Sequence, residues 1–354
     1  MSQITAITSG GGGSGDVKTL TGNSGGAIGA TAGNINVIGS GSVSVSGSGS
    51  TLTISNSGSS GGTISTIFTN SGTWTKNSNT KYVNVFIWDG GAGGGSGRQS
   101  SSGNAGGGGG GAPGGTAYFY GPQLFFPSSL SVTVGAGGNG ASQQTNSDSD
   151  GFTGSPWGSS QFGSMSSYLP FSFLSASPGD GGTIGSSPGG AYQGNLTTYN
   201  AIVEANPSPT SGSGELMNGN SASAIYATSL MSATAGGGGA GADTGNIWTG
   251  GSGGNIEDVR GPSILYVGGQ GGSESIFIDG FSGTNQGVIG SGYISGGTGG
   301  GGGGGQSSGS VAGNGGMGGF PGGGGGGGGG SLNGTFSGQG GNGANGQVIV
   351  IEFT

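Results

Sequence analysis

The sequence predicts an all-β chain with a non-regular glycine-rich part. A short N-terminal β module precedes a β-sheet or sandwich domain packed with a bundle of polyglycine II helices, and little or no α-helix is expected. Three observations carry this expectation. Glycine supplies 102 of the 354 residues and is concentrated in long runs. Short segments of alternating apolar and polar residues flank those runs, as half-buried strands do. Heptads and helical patterns led by a capping box are missing.

In chain order, residues 1–15 form an N-terminal Gly/Ser segment ending in the run Gly10–Gly15. Residues 16–58 contain VKTLTG, NINVIG, SVSVSG and STLTIS, separated by Gly/Ser/Asn turns. Each segment offers two or three apolar side chains, and a region of about forty residues built this way buries too little surface to stand alone. Sharing a core among identical chains is the remedy, so the region reads as an attachment or oligomerisation module. SGSSGG (Ser57–Gly62) closes it, and residues 59–67 read as a linker.

The second unit is expected over 68–354. In KYVNVFIW, Val83, Val85 and Ile87 alternate with Tyr82, Asn84 and Phe86, and the strand runs straight into DGGAGGGSG. SLSVTVGAGGNGAS (Ser129–Ser142) repeats that junction, and GQGGNGANGQVIVIEFT at the end reverses it. The main glycine-rich tracts are 90–97, 103–115, 236–241, 296–305, 313–330 and 338–346. Less biased stretches, chiefly 143–235 and 256–294, hold most of the large side chains. Within the first of these, SAIYATSLMSATA has a composition that allows a short helix.

A glycine run has one ordered option besides loose coil. An extended chain with three residues per turn makes no internal hydrogen bonds and points every N–H and C=O outward. Alone it cannot be buried, because unpaired buried backbone groups are costly. Side by side, such chains bond to one another, and they approach closely enough only where side chains are missing. Collagen is excluded, since it needs Gly at every third position with Pro-rich intervening sites, and GGGGGGAPGG and FPGGGGGGGGGS lack that period.

Gly and Pro together make up roughly a third of the chain, a level that usually signals low complexity. Disordered chains, however, are highly charged and poor in aromatics. Here 5% of residues are charged and 8% are aromatic, which argues for a fold. Five basic residues against thirteen acidic ones give a formal charge of −8, with no basic stripe to neutralise phosphates, so nucleic acid is not an expected partner. Cys and His are absent, which removes disulfides, thiolate sites and the usual nucleophile–base pairs. No apolar run approaches the length of a membrane span, so membrane insertion is not expected. The start has neither the basic nor the apolar region of a secretory signal.

Strings such as GxGxxG recur by chance in so glycine-rich a chain, and no helix follows them. GGAGADTGN (Gly238–Asn246) approaches a calcium-binding nonapeptide only once, with Gly245 at the required apolar position. Asp148 and Asp150 in SDSDG could reach a hard cation, although a solvated acidic turn is the simpler reading. Glu204, Glu215, Glu257, Asp258, Glu274 and Asp279 supply carboxylates that nothing in the sequence pairs for glycoside hydrolysis. No enzyme activity, metal or cofactor is expected. Aromatic side chains on rigid loops commonly grip sugars or protein surfaces. The binding candidates are Trp157, Tyr168, Phe171, Tyr192, Tyr199, Tyr226 and Trp248, each with a small satellite core as its plainer role.

Residues 68–354 resemble the glycine-rich domain of bacteriophage tail-fibre proteins. The resemblance rests on SGTWTKNSNTKYVNVFIWDGGAGGGSG, SLSVTVGAGGNG, SSQFGS and GGNGANGQVIVIEF, in that order. The chain departs from the family at Asn77–Asn79, where a proline often follows the Thr-Lys pair, and the insert 143–235 has no counterpart. In a looser way the chain is similar to phage adhesin tips, in which loops joining polyglycine II helices bind the host receptor. Residues 16–58 likewise look like a module repeated in phage fibre and virion proteins.

The resemblance implies a virion tail fibre or adhesin, and the insert 143–235, where aromatic side chains gather, holds the candidate receptor-binding loops. The chain's expected partners are itself (a homotrimer or another homo-oligomer), other virion tail or fibre proteins, and a host cell-surface glycan or outer-membrane protein. Alternatives are a purely structural self-assembling fibre or decoration subunit, and a secreted, extracellular bacterial matrix protein.

Overall fold

The computed structural model describes residues 19–21, 27–29, 43–48, 51–56, 61–163, 219–222, 225–226, 233–243, 246–257, 264–272, 279–285, 295–307, 310–333 and 336–354. The chain divides into two compact units, Met1–Gly62 and Thr63–Thr354. Apart from one 3-10 turn at Gln123–Phe125, the described residues contain strands and extended segments.

The first unit contributes two hairpin-like pairs. Strands β1 (Thr19–Thr21) and β2 (Ala27–Gly29) pair antiparallel, as do β3 (Val43–Ser48) and β4 (Thr51–Asn56). VKTLTG, SVSVSG and STLTIS therefore contain strands as expected, and NINVIG lies outside the described residues.

The second unit opens with β5 (Thr63–Phe68), β6 (Gly72–Thr75), β7 (Tyr82–Trp88), β8 (Gln99–Ser100), β9 (Thr116–Pro122), β10 (Ser129–Thr133) and β11 (Gln161–Phe162). Five short strands follow: β12 (Ile225–Tyr226), β13 (Ala242–Asp243), β14 (Asn246–Ile247), β15 (Ile256–Glu257) and β16 (Ile264–Tyr266). The unit ends with β17 (Ser331–Leu332) and β18 (Gln347–Phe353). Residues 63–67, expected as linker, instead form most of β5, because the neighbouring β18 supplies the hydrogen-bond partners that a weakly patterned segment needs. In the stretch whose composition allowed a helix, Ile225–Tyr226 are a strand that pairs with β15.

An antiparallel sheet of order β5-β18-β7-β9 joins the first and last strands of the unit. A second antiparallel sheet, β11-β10-β6, shares one core with it. Alternation decides which side chains enter that core. Val83, Val85 and Ile87 of β7 and Val348 and Val350 of β18 meet Phe119, Trp74, Val132, Phe126 and Phe162 there. Trp74 is 1% exposed, and its ring lies 5.3 Å from Phe162 and 6.1 Å from Phe126. The opposite face of the large sheet buries Phe86, Trp88 and Ile349, and farther along it the Tyr82 and Tyr120 rings stack 5.6 Å apart.

The turn at Asn77–Asn79 is closed by side chains. Asn77 Oδ1 accepts the Asn79 N–H, and the Asn77 N–H donates to Glu352 at 2.7 Å, a bond that proline could not make.

Beyond the sheets the glycine-rich tracts run alongside one another. Residues 322–331 have six neighbours. Gly324, Gly327 and Gly330 donate their N–H groups to Thr234, Gly237 and Ala240, while Gly325, Gly328 and Ser331 donate to Ala92, Gly95 and Arg98. Gly323, Gly326 and Gly329 donate to Gly319, Gly316 and Gly313. The carbonyls accept from three further segments, 108–114, 300–306 and 338–344, again at every third residue. Every N–H from Gly323 to Ser331 and every C=O from Gly322 to Gly330 is thereby paired, which satisfies groups that would each cost about 1–3 kcal/mol if buried alone.

This spacing leaves no room for a side chain. A Cβ placed on Gly326 would sit on the carbonyl oxygen of Gly301, and one on Gly328 on that of Gly338. At the margin of the bundle, side-chain oxygens replace the missing neighbour. Asn342 and Asn345, three residues apart, accept the N–H groups of Gly140 and Gly137, both at 2.8 Å.

Candidate binding surface

Hydrogen-bond register marks two levels along the bundle. At one, Asp89 bonds to Gly115, Gly90 to Gly158, Gly114 to Gly322 and Gly346 to Gly135, and there the segments lead into the sheets. At the other, Ser96 bonds to Phe152, Gly97 to Gly338, Arg98 to Gly106, Ser331 to Arg98 and Gln306 to Gly330. The connecting segments 99–104 and 143–151 lie at this second level, with β8, β17, Asn333 and the antiparallel pair β13–β14. The far level is thus where chain reversals gather away from the sheets.

The side chains of 99–104 and 143–151 are polar and mutually held. Asp148 has a positive φ of 57°. Its carboxylate accepts from the Ser101 N–H at 2.9 Å, from Ser101 Oγ at 2.6 Å and from Ser100 Oγ at 3.2 Å. The hydroxyl and N–H of Ser101 favour the ionised form, so the Asp148 carboxyl is held below its ordinary pKa. Asp150 pairs with the guanidinium of the buried Arg98. The Gln144 amide donates to the Asp150 carbonyl at 2.7 Å, while its Oε1 accepts the N–H groups of Thr145 and Asn146. The acidic turn therefore directs Asp148 to Ser101 and Asp150 to Arg98 rather than to a common point. Among the described residues no three acidic side chains converge as a metal site would require.

The aromatic candidates do not gather in one place. Trp157 is half-buried against Ala92 and Ala112, near the level that leads into the sheets. Trp248 is also half-buried, and its carbonyl accepts the Gly305 N–H at 3.0 Å, near the far level. The Nε1 atoms of both are buried with no partner among the described residues. Tyr226 lies on β12, and Tyr168, Phe171, Tyr192 and Tyr199 lie outside the described residues. The polar turn 143–151 falls within the insert 143–235 expected to carry receptor-binding loops, whereas 99–104 is a polar turn that composition does not single out. Their shared signal is the replacement of glycine by Gln, Ser, Asn and Asp between tracts.

A buried carboxyl marks the junction with the sheets. Asp89 follows β7, is 3% exposed and accepts the Ser160 N–H at 2.6 Å. Burial pushes its pKa up to about 8, opposed by that N–H. Ser160 Oγ in turn donates to the Trp88 carbonyl at 2.6 Å and accepts the Gly135 N–H at 2.9 Å, locking strand ends to tract beginnings.

No protein-family model matches the chain, and no curated protein matches it.

Proposed function

We propose that the chain is a bacteriophage tail-fibre or adhesin protein whose tracts form a polyglycine II bundle and whose far-level loops bind a host-surface receptor. The observation that carries this reading is the repeat of partners at every third residue along 322–331, since three residues per turn is the polyglycine II period. A chain bonded laterally on all sides is a stiff support. Stiff support under short polar turns lowers the ordering cost of recognition.

The receptor class is a cell-surface glycan or outer-membrane protein, which the hydroxyls, amides and carboxylates of the far level suit. Self-association through the N-terminal module, with other virion tail proteins as neighbours, would give multivalent attachment. The role is adhesion rather than catalysis, because without His or Cys the usual nucleophile–base pairs cannot be assembled. A purely structural fibre is the second reading, favoured by the uncharged exposed strand β5.

The test uses fluorescently labelled full chain on a panel of intact bacterial isolates. Selective staining that is lost when residues 145–149 are replaced by Gly/Ser, with unchanged thermal unfolding, supports the adhesin. Staining of no isolate, or staining unaltered by the replacement, overturns the far-level site.

A further inference from the structure

We propose that β5 is the seam between two copies of this chain, paired antiparallel to its own counterpart around a twofold axis at Thr66. This deepens, and rests on, the self-association proposed above. β5 ends the large sheet, with β18 on one side and no described strand on the other. Exposed uncharged edges pair with further strands unless charge, proline or a bulge blunts them. TISTIF has none of these, and its register with β18 is unbroken over six residues. Ile64 and Ile67 are 37% and 47% exposed. No charged residue occurs anywhere from 19 to 75, so like charges do not oppose the approach of a second copy.

Strand parity limits the register, and apolar matching on the core side selects within that limit. Ile64, Thr66 and Phe68 align with Glu352, Val350 and Val348 on the core side, and Ser65 and Ile67 align with Ile351 and Ile349 on the other. Directly opposed residues must share a face. Setting Thr66 against the partner's Thr66 meets this condition, places Ile64 beside the partner's Phe68, and sets Ser65 beside the partner's Ile67. The result is a continuous eight-stranded sheet whose apolar core crosses the seam.

A seam of five residues buries less than the ~1,200 Å² of a stable interface, so the tether matters. Six residues separate β4 from β5, a reach of at most about 20 Å. The two copies of Thr63 stand about 20 Å apart across the seam, within range of N-terminal modules that have already met.

The chain has no cysteine, so Thr66→Cys introduces a single thiol. Opposed Cα atoms in an antiparallel pair lie about 4.5–5.5 Å apart, within disulfide range. Under mild oxidation, full-length Thr66→Cys should cross-link to a dimer at least about ten times faster than the exposed control Thr145→Cys. Adding Ile64→Lys should remove that advantage. Light scattering of the same samples separates the two proposals. An oligomeric chain in which both thiols cross-link equally overturns the seam and leaves self-association standing. A monomeric chain with equal rates overturns both.

Discussion

The two parts of the second unit are built on opposite rules. In the sandwich, Trp74, Phe162 and Val350 fill space, and their backbones have one or two flanking strands. In the bundle, residues 323–330 fill no space with side chains and bond to six neighbours. Shrinking a side chain therefore harms the first part, whereas adding one harms the second. Glycine, the residue that costs most to order, becomes the only one that fits.

The sharpest way to break the comparison is to add volume to the bundle. Gly326→Val should cost more than about 5 kcal/mol, beyond the ordinary range for single substitutions, and remove cooperative melting of the second unit. Gly103→Ala is its control. That glycine has a φ of 82° but open space around its Cβ direction, so only about 1 kcal/mol of backbone preference is at stake. Equal losses at the two sites would mean that lateral contact is not what excludes side chains.

Trp74→Ala comes next, with an expected loss of about 3–5 kcal/mol from cavity and transfer terms, read as a lower denaturation midpoint. Amide exchange across 322–331 should persist to a greater degree than exchange in β6 and β10. If both collapse together, the two parts melt as one.

Asp89 tests the joint between them. Its folded pKa of about 8 lies above the ordinary value of 3.8, so at neutral pH the folded chain holds a proton that the unfolded chain has released. Stability from this group is full below pH 4, falls as pH rises towards 8 and levels off above it. Each unit is worth about 1.4 kcal/mol. Asp89→Asn keeps an acceptor for Ser160 and should flatten the decline in melting temperature between pH 5 and 8. It should also leave the variant several kcal/mol more stable than wild type at pH 9. A wild-type curve that rises over that window would sink the assignment.

The smallest effect is expected at the margin. Asn345→Ala removes the acceptor of the half-buried Gly137 N–H and should cost about 1 kcal/mol, read as faster exchange of that one amide with little change in global melting.

Legibility in the sequence follows the same division. Strands β7 and β10 were readable because their faces differ, as Val83, Val85 and Ile87 do from Tyr82 and Asn84, and β18 as the unbroken apolar run Val348–Ile351 after a glycine tract. Strand β5 was not, because Ile64 and Ile67 are three apart and fall on opposite faces, leaving no alternating stripe. Strand β9 was also hidden, since TAYFYGP mixes aromatics on both sides and ends in Gly-Pro; its partner β7 makes it a strand. The length of each glycine tract was visible, but the order of neighbours was not, because identical residues carry no register. Trp157 was legible as a large side chain, yet its seat on Ala92 and Ala112 depends on tracts distant in sequence. The burial of Asp89 had no local signal at all.

The six-fold pairing of 322–331 also bears on temperature. Unfolding raises heat capacity through exposed apolar surface and lowers it through exposed peptide groups. A region whose interior is nearly all peptide should release little heat capacity, so its free energy of unfolding should curve only slightly with temperature. Oil-like contacts weaken on cooling. A lattice of amides lacks that weakness and should be as stiff near freezing as in warm water.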